Sequence, residues 1–206
     1  YGSAEILDTT AFMRSTINKW KYFGFKFRNI CTGLINSAEQ VDIICDLIDS
    51  QDKPFVMVDP IMADDGKLYP DMYEGAIDAN RKLASRASLM IPNFTEATML
   101  AGMFTDRTTL SNAEFEELVH ALVQLGPDSI VITGCHNEEG QSFNLVYDSG
   151  SEELEYICYD KLPVSFIGTG DVFSSVLISH LLTGAQLGTA VERAARFVRE
   201  VILDNL

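Results

Sequence analysis

Basic residues are scarce. Fifteen lysines and arginines stand against thirty aspartates and glutamates in 206 residues, a net charge of −15. Nucleic-acid backbones and anionic lipid surfaces are bound by clustered Lys and Arg, so this balance argues against both as partners. A small phosphorylated ligand stays open, because a local site can carry the opposite field. No apolar run reaches the ~18 residues of a membrane span. The richest, Val172 to Leu182, is interrupted by Ser174, Ser175, Ser179 and His180. The N-terminus lacks a basic region followed by an apolar one, so no signal peptide is read and the cytoplasm is the expected compartment. The four cysteines, Cys31, Cys45, Cys135 and Cys158, form no C-x-x-C. That argues against a disulfide framework or zinc site and predicts buried free thiols. His120, His136 and His180 have no ligand spacing and read as structural, and no Ser-His-Asp order stands out. No G-x-x-x-x-G-K-[ST] occurs, and the run from Gly168 has Phe173 where a dinucleotide fingerprint needs its third glycine. P-loop and nicotinamide chemistry are disfavoured.

What remains is ordinary globular composition, 47% hydrophobic and 22% charged, at a length that predicts one domain over residues 1–206. Short apolar runs alternate with helical patterns. Phe12, Thr16, Trp20 and Phe23 keep helical spacing, with Gly24 as the stop. Asn29 to Thr32 reads as a strand. Ser37 and Gln40 open a helix carrying Val41, Ile44, Cys45 and Ile48. Phe55 to Val58 is a continuous apolar run suited to a buried parallel strand, followed by a polar loop through Asp64, Asp65 and Gly66. Further elements are a helix from about Asp71 to Ser85, a strand at Leu89 to Ile91, and helices near Thr95 to Ala101 and around Phe115 to Leu122. A strand at Ile130 to Ile132 ends at Thr133-Gly134, a hairpin turns around Asp148 to Ser151, and two helices close the chain. The alternation predicts a mostly parallel sheet covered on both faces, with ligands bound outside the carboxyl ends of its strands.

Three places there carry chemistry. Gly168-Thr169-Gly170-Asp171 opens the helix Val172 to Leu182. Bare backbone N–H groups and the helix dipole make an anion site, and a neighbouring carboxylate can accept a proton from an attacking hydroxyl. Asp171 as a plain helix cap remains the alternative. Asp59, Asp64, Asp65 and Glu96 can converge if their strands are neighbours, which suits Mg²⁺ held by one or two carboxylates with phosphates and water; solvated loop acids are the alternative. Lys67 can pair with a phosphate or stay solvated. Thr133-Gly134 offers a hydroxyl and bare backbone, which turn chemistry alone would also explain.

Taken together these segments resemble the ribokinase-like superfamily in its pyridoxal/pyridoxine kinase branch. Val58-Asp59-Pro60-Ile61-Met62-Ala63-Asp64-Asp65-Gly66-Lys67-Leu68-Tyr69 resembles the branch's D-P-V-M-G-D-x-G-x-x-Y. Pro92-Asn93-Phe94-Thr95-Glu96-Ala97, with Leu100 and Gly102, resembles P-N-x-x-E-A-x-x-L-x-G. Val131-Ile132-Thr133-Gly134 resembles the turn at the nucleotide phosphates, and Gly168-Thr169-Gly170-Asp171 the anion hole and base. The resemblance implies a three-layer α/β/α sandwich and transfer of the ATP γ-phosphoryl group to the 5′-hydroxymethyl of pyridoxal, pyridoxine or pyridoxamine. A hydroxymethylpyrimidine or sugar kinase, or a degenerate nucleotide-binding relative, are the alternatives. Hydroxymethylpyrimidine kinases usually carry Cys where this chain has Asp171. The resemblance further implies Asp171 as base, with Gly168, Thr169 and Gly170 holding the transferred group. Asp59 and Glu96 would organise Mg²⁺ directly or through water, with Asp64 nearby. Asn93, Thr133, Gly134 and Lys67 would meet ATP phosphates, Tyr69 would lie over the nucleotide, and the helix pair after Asp171 would flank the adenine. It leaves room for a monovalent cation and implies a homodimer. Ala63 replaces a usual Gly, which would restrict its loop, and Ile91 replaces a frequent Thr, which would remove a hydroxyl near ATP. The family's first strand and early substrate-binding segments have no counterpart, so the expectation is a chain trimmed at the start, with Tyr1-Gly2 at the tip of the loop over the pyridine.

Overall fold

A computed structural model describes residues 7–151, 153–164 and 166–206; the expectation about Tyr1-Gly2 lies outside these residues. Fifteen elements follow in chain order: α1 (Thr10–Tyr22), β1 (Asn29–Thr32), α2 (Ala38–Asp49), β2 (Phe55–Val58), β3 (Ala63–Asp64), β4 (Lys67–Leu68), α3 (Ala76–Ala84), β5 (Leu89–Met90), α4 (Phe94–Ala101), α5 (Asn112–Val123), β6 (Ser129–His136), β7 (Ser142–Asp148), β8 (Glu153–Cys158), α6 (Thr169–Leu182) and α7 (Leu187–Leu203).

The continuous apolar strands are buried on both faces because helices cover both. Strand period sends alternate side chains to opposite faces. Val56 and Val58 join one core with α2, α3, α4 and α5, whereas Met57 joins the other with α6 and α7. Ile130 and Ile132 lie with the first core and Val131 with the second. The sheet order is β1-β2-β5-β6-β7-β8. The first four strands are parallel, and β7 and β8 return antiparallel. This is the expected three-layer α/β/α arrangement with a mostly parallel sheet. In it β2 and β5 are neighbours, so their carboxyl ends lie side by side.

Several boundaries differ from the sequence reading. The helix expected from Asp71 begins at Ala76, because Gly75 takes φ +86 and interrupts the backbone ahead of it. β6 does not stop at Thr133-Gly134; its register shifts between Ile132 and Cys135 and it runs on to His136. The helix after the glycine motif starts at Thr169, which places Gly170 and Asp171 inside its first turn. On α1 the expected stripe holds only in part: Trp20 packs inward, but Phe12 and Phe23 do not. Phe12 is 71% exposed, while Ile17 is buried and packs with Ile43 and Leu47 of α2. Of the thiols only Cys45 and Cys135 are buried; Cys31 and Cys158 are exposed. Among the described residues no helix is long and apolar enough to cross a membrane.

Candidate active site

The site begins where β2 ends. Asp59 follows Val58, and its backbone N–H donates to Thr32 O at 3.4 Å. Its side chain is half-buried, and Oδ2 accepts a hydrogen bond from Ser174 Oγ at 2.6 Å. Burial pushes this carboxyl up to about 6, against the Ser174 bond and with help from the Asp171 carboxylate.

The polar loop after Asp59 contains a hairpin that was not expected. β3 pairs antiparallel with β4, Asp64 opposite Lys67. The two loop residues, Asp65 (φ +49) and Gly66 (φ +75), are both left-handed, as a two-residue Asp-Gly turn requires. That dipeptide was the missed signal.

The hairpin is clipped to the start of α4. Glu96 Oε1 accepts from the N–H groups of Met62 (2.9 Å) and Ala63 (3.3 Å), and Oε2 from that of Asn93 (2.9 Å). Asn93 Oδ1 accepts from Glu96 N, closing a capping box, while its Nδ2 donates to Ala63 O at 2.7 Å. Thr95 Oγ1 accepts from Gly66 N at 3.0 Å. Glu96 is only 3% exposed, and desolvation pushes its carboxyl up to about 8 against the pull of those backbone donors. Both Glu96 oxygens and both Asn93 polar atoms are thus engaged within the fold. Contact from either to a metal ion or phosphate has to run through water or through a shared oxygen.

Ala63 is fully buried in the first core and has no left-handed backbone, so its methyl group packs where a glycine would leave space. Ile91 is buried in the second core with Val131 and Phe173, so its side chain is part of the packing behind the site.

β6 adds Thr133 and Gly134. Thr133 N donates to Pro92 O at 2.9 Å, forming an isolated parallel bridge between Asn93 and Thr133. Gly134 N donates to the buried Asn144 Oδ1 at 3.4 Å. The irregularity in β6 therefore lies beside the α4 cap.

α6 completes the site. Gly168 caps it at φ +87, a conformation that suits glycine. The first N–H groups of a helix have no intrahelical acceptor, so they remain available to an anion. Among the described residues, a Cβ built on Gly168 or on Gly170 would meet nothing within 4 Å, so the space over this turn is open to them. Asp171 sits exposed in the same turn.

Tyr69 ties these parts together. Its N–H donates to Met62 O at 2.9 Å, and burial pushes its phenol up to about 12, helped in order by the carboxylates of Glu96, Asp64, Asp59 and Asp171. The four carboxylates whose charges act on it come from four separate segments. Lys67 is exposed on β4 and forms no salt bridge among the described residues. His136 contacts Lys161 Nζ at 3.3 Å through Nε2. Ser174 and Thr95 were missed, because a lone serine or threonine in an apolar helix carries no pattern.

No group of three or more His, Cys, Asp or Glu side chains among the described residues could hold a metal ion. The donor set instead fits Mg²⁺, which takes one or two carboxylates and completes its shell with phosphate oxygens and water.

A profile of the phosphomethylpyrimidine kinase family matches residues 11–206. The pyridoxine kinase of Bacillus subtilis is 27% identical over 178 residues, 84% of this chain and 63% of that protein. The hydroxymethylpyrimidine/phosphomethylpyrimidine kinase of the same organism is also 27% identical, over 85% of this chain and 63% of its own length. The chain thus spans under two thirds of these curated relatives. A Bacteroides thetaiotaomicron protein crystallised with pyridoxal superposes with a TM-score of 0.89 at 28% identity, covering 97% of this chain and 71% of that one.

Proposed function

The chain belongs to the phosphomethylpyrimidine kinase family, and on that premise we propose that it transfers the γ-phosphoryl group of ATP to the 5′-hydroxymethyl of a pyridoxal-type ring. The observation that carries this reading is the hydrogen bond from Ser174 of α6 to Asp59 Oδ2, which holds the end of β2 beside the helix start that carries the glycine motif and Asp171.

In this reading Asp171 accepts the proton of the attacking hydroxyl. An alcohol is a far weaker acid than any Asp, so the proton moves late, in a loose transition state, and positioning matters more than basicity. The N–H groups of Gly168, Thr169 and Gly170 hold the charge on the phosphoryl group as it passes. Thr133, Gly134 and Lys67 face the ATP phosphates, and Tyr69 lies over the nucleotide. Asn93 acts by shaping the turn between them. Asp59 would hold Mg²⁺, with Asp64 nearby and Glu96 acting through water. When bound, the ion would supply positive charge to offset that of the phosphates.

The test is ADP release with pyridoxal as acceptor. Wild type should turn over, and Asp171→Asn should lose about 10²–10⁴-fold in kcat while still binding ATP by calorimetry. Full activity in that variant removes Asp171 as the base. The equal identity to a hydroxymethylpyrimidine/phosphomethylpyrimidine kinase supports a second acceptor class. Comparing kcat/KM for pyridoxal, hydroxymethylpyrimidine and a sugar decides between them.

A further inference from the structure

Two adjacent serines on α6 behave differently. Ser175 is exposed and donates to the backbone O of Asp171 at 2.7 Å, the usual return of a helical serine onto its own helix. Ser174 is only 7% exposed and makes no such bond. It donates to Asp59 Oδ2 at 2.6 Å, across 115 residues of sequence. Its neighbours on α6, Phe173 and Leu177, belong to the apolar core against the sheet. A hydroxyl there costs free energy unless it is paired, and alanine would avoid that cost altogether. The bond joins the helix that carries Asp171 and the glycine cradle to the strand end that carries Asp59. Among the described residues no hydrogen bond reaches Asp59 Oδ1.

We propose that Ser174 is a positioning residue, fixing the Asp59 carboxylate for a divalent cation and keeping it in register with the start of α6. This rests on the kinase reading above. A carboxylate on a short side chain rotates among several wells, and Mg²⁺ tolerates little departure from octahedral geometry. Pinning one oxygen selects the rotamer before the ion arrives. The same hydroxyl couples any shift of the α6 start to the position of Asp59.

The experiment measures binding of AMP-PNP by calorimetry across a Mg²⁺ series, with pyridoxal turnover alongside, for wild type, Ser174→Ala, Ser174→Cys and Ser174→Thr. Ser174→Ala should need about tenfold more Mg²⁺ for half-maximal analogue binding. Its kcat should fall with little change in the KM for pyridoxal. Ser174→Cys, close to serine in size but a weak donor, should shift in the same direction and serves if the alanine variant does not fold. Ser174→Thr keeps the hydroxyl and should return towards the wild-type requirement. A folded alanine or cysteine variant with an unchanged Mg²⁺ requirement overturns the proposal, whatever its melting temperature. If wild type binds no AMP-PNP at any Mg²⁺ concentration, the kinase reading fails and the proposal falls with it.

Discussion

Two glycines in one motif separate conformation from space. Gly168 needs its φ of +87, so Gly168→Ala should cost about 1–2 kcal/mol in urea unfolding. Gly170 lies in the first turn of α6 without a left-handed backbone, and a methyl group there would enter open space. Gly170→Ala should therefore stabilise the fold by up to about 1 kcal/mol and yet abolish ADP release, because the methyl group fills the cradle. A variant that is both stable and active would remove the anion-hole role. Glu96 gives a second test at this scale. Burial raises its carboxyl from the usual 4.5 to about 8, so the folded state prefers the proton. The free energy of unfolding of the metal-free protein should then fall as pH rises from 4.5 towards 8. Asp59, raised from 3.8 to about 6, acts in the same direction. Asp49 and Glu114 are lowered by hydrogen-bonding partners, so their contribution is lost only below this window, as pH falls. Glu96→Gln should flatten the slope between pH 5 and 8; a slope unchanged in that variant would assign it to other groups.

The start of α4 shows how one short helix organises a site. The helix near Thr95 was read from the sequence, but the Asn93–Glu96 capping box that starts it was not, although a capping box is local chemistry. The same residues also gripping a hairpin thirty residues away was not legible, since Asn93 Nδ2 finds Ala63 O only after folding. Asn93→Asp separates the two roles. Aspartate keeps the cap acceptor but replaces the donor facing Ala63 O with another oxygen. It should destabilise by about 1–2 kcal/mol, much as alanine would, although Asp is a favoured N-cap residue. Stability equal to wild type in urea would mean the Ala63 contact contributes little. β3 and β4 escaped sequence reading because strands of two residues are too short to show alternation.

For the whole molecule, binding that is confined to the folded state raises its stability by mass action. AMP-PNP with Mg²⁺ at a hundred times its Kd contributes about 2.7 kcal/mol. For a chain of this size the melting temperature should rise by roughly 5–10 °C. No shift on adding both would contradict a nucleotide site on the folded chain.

Strand and helix alternation, and hence the layered fold, followed from the sequence alone. Runs such as Phe55 to Val58 have no polar face, and only a sheet covered on both sides buries them. The glycine motif was legible because it depends on backbone geometry within one turn. Three things were decided by tertiary structure. The order β1-β2-β5-β6 brought Asp59 and Asn93 to adjacent strand ends. Packing against α2 selected Ile17 rather than Phe12 as the inner face of α1. Ser174 gained its acid partner across 115 residues. Burial and long-range pairing depend on which surfaces meet, and local sequence spacing carries no record of that.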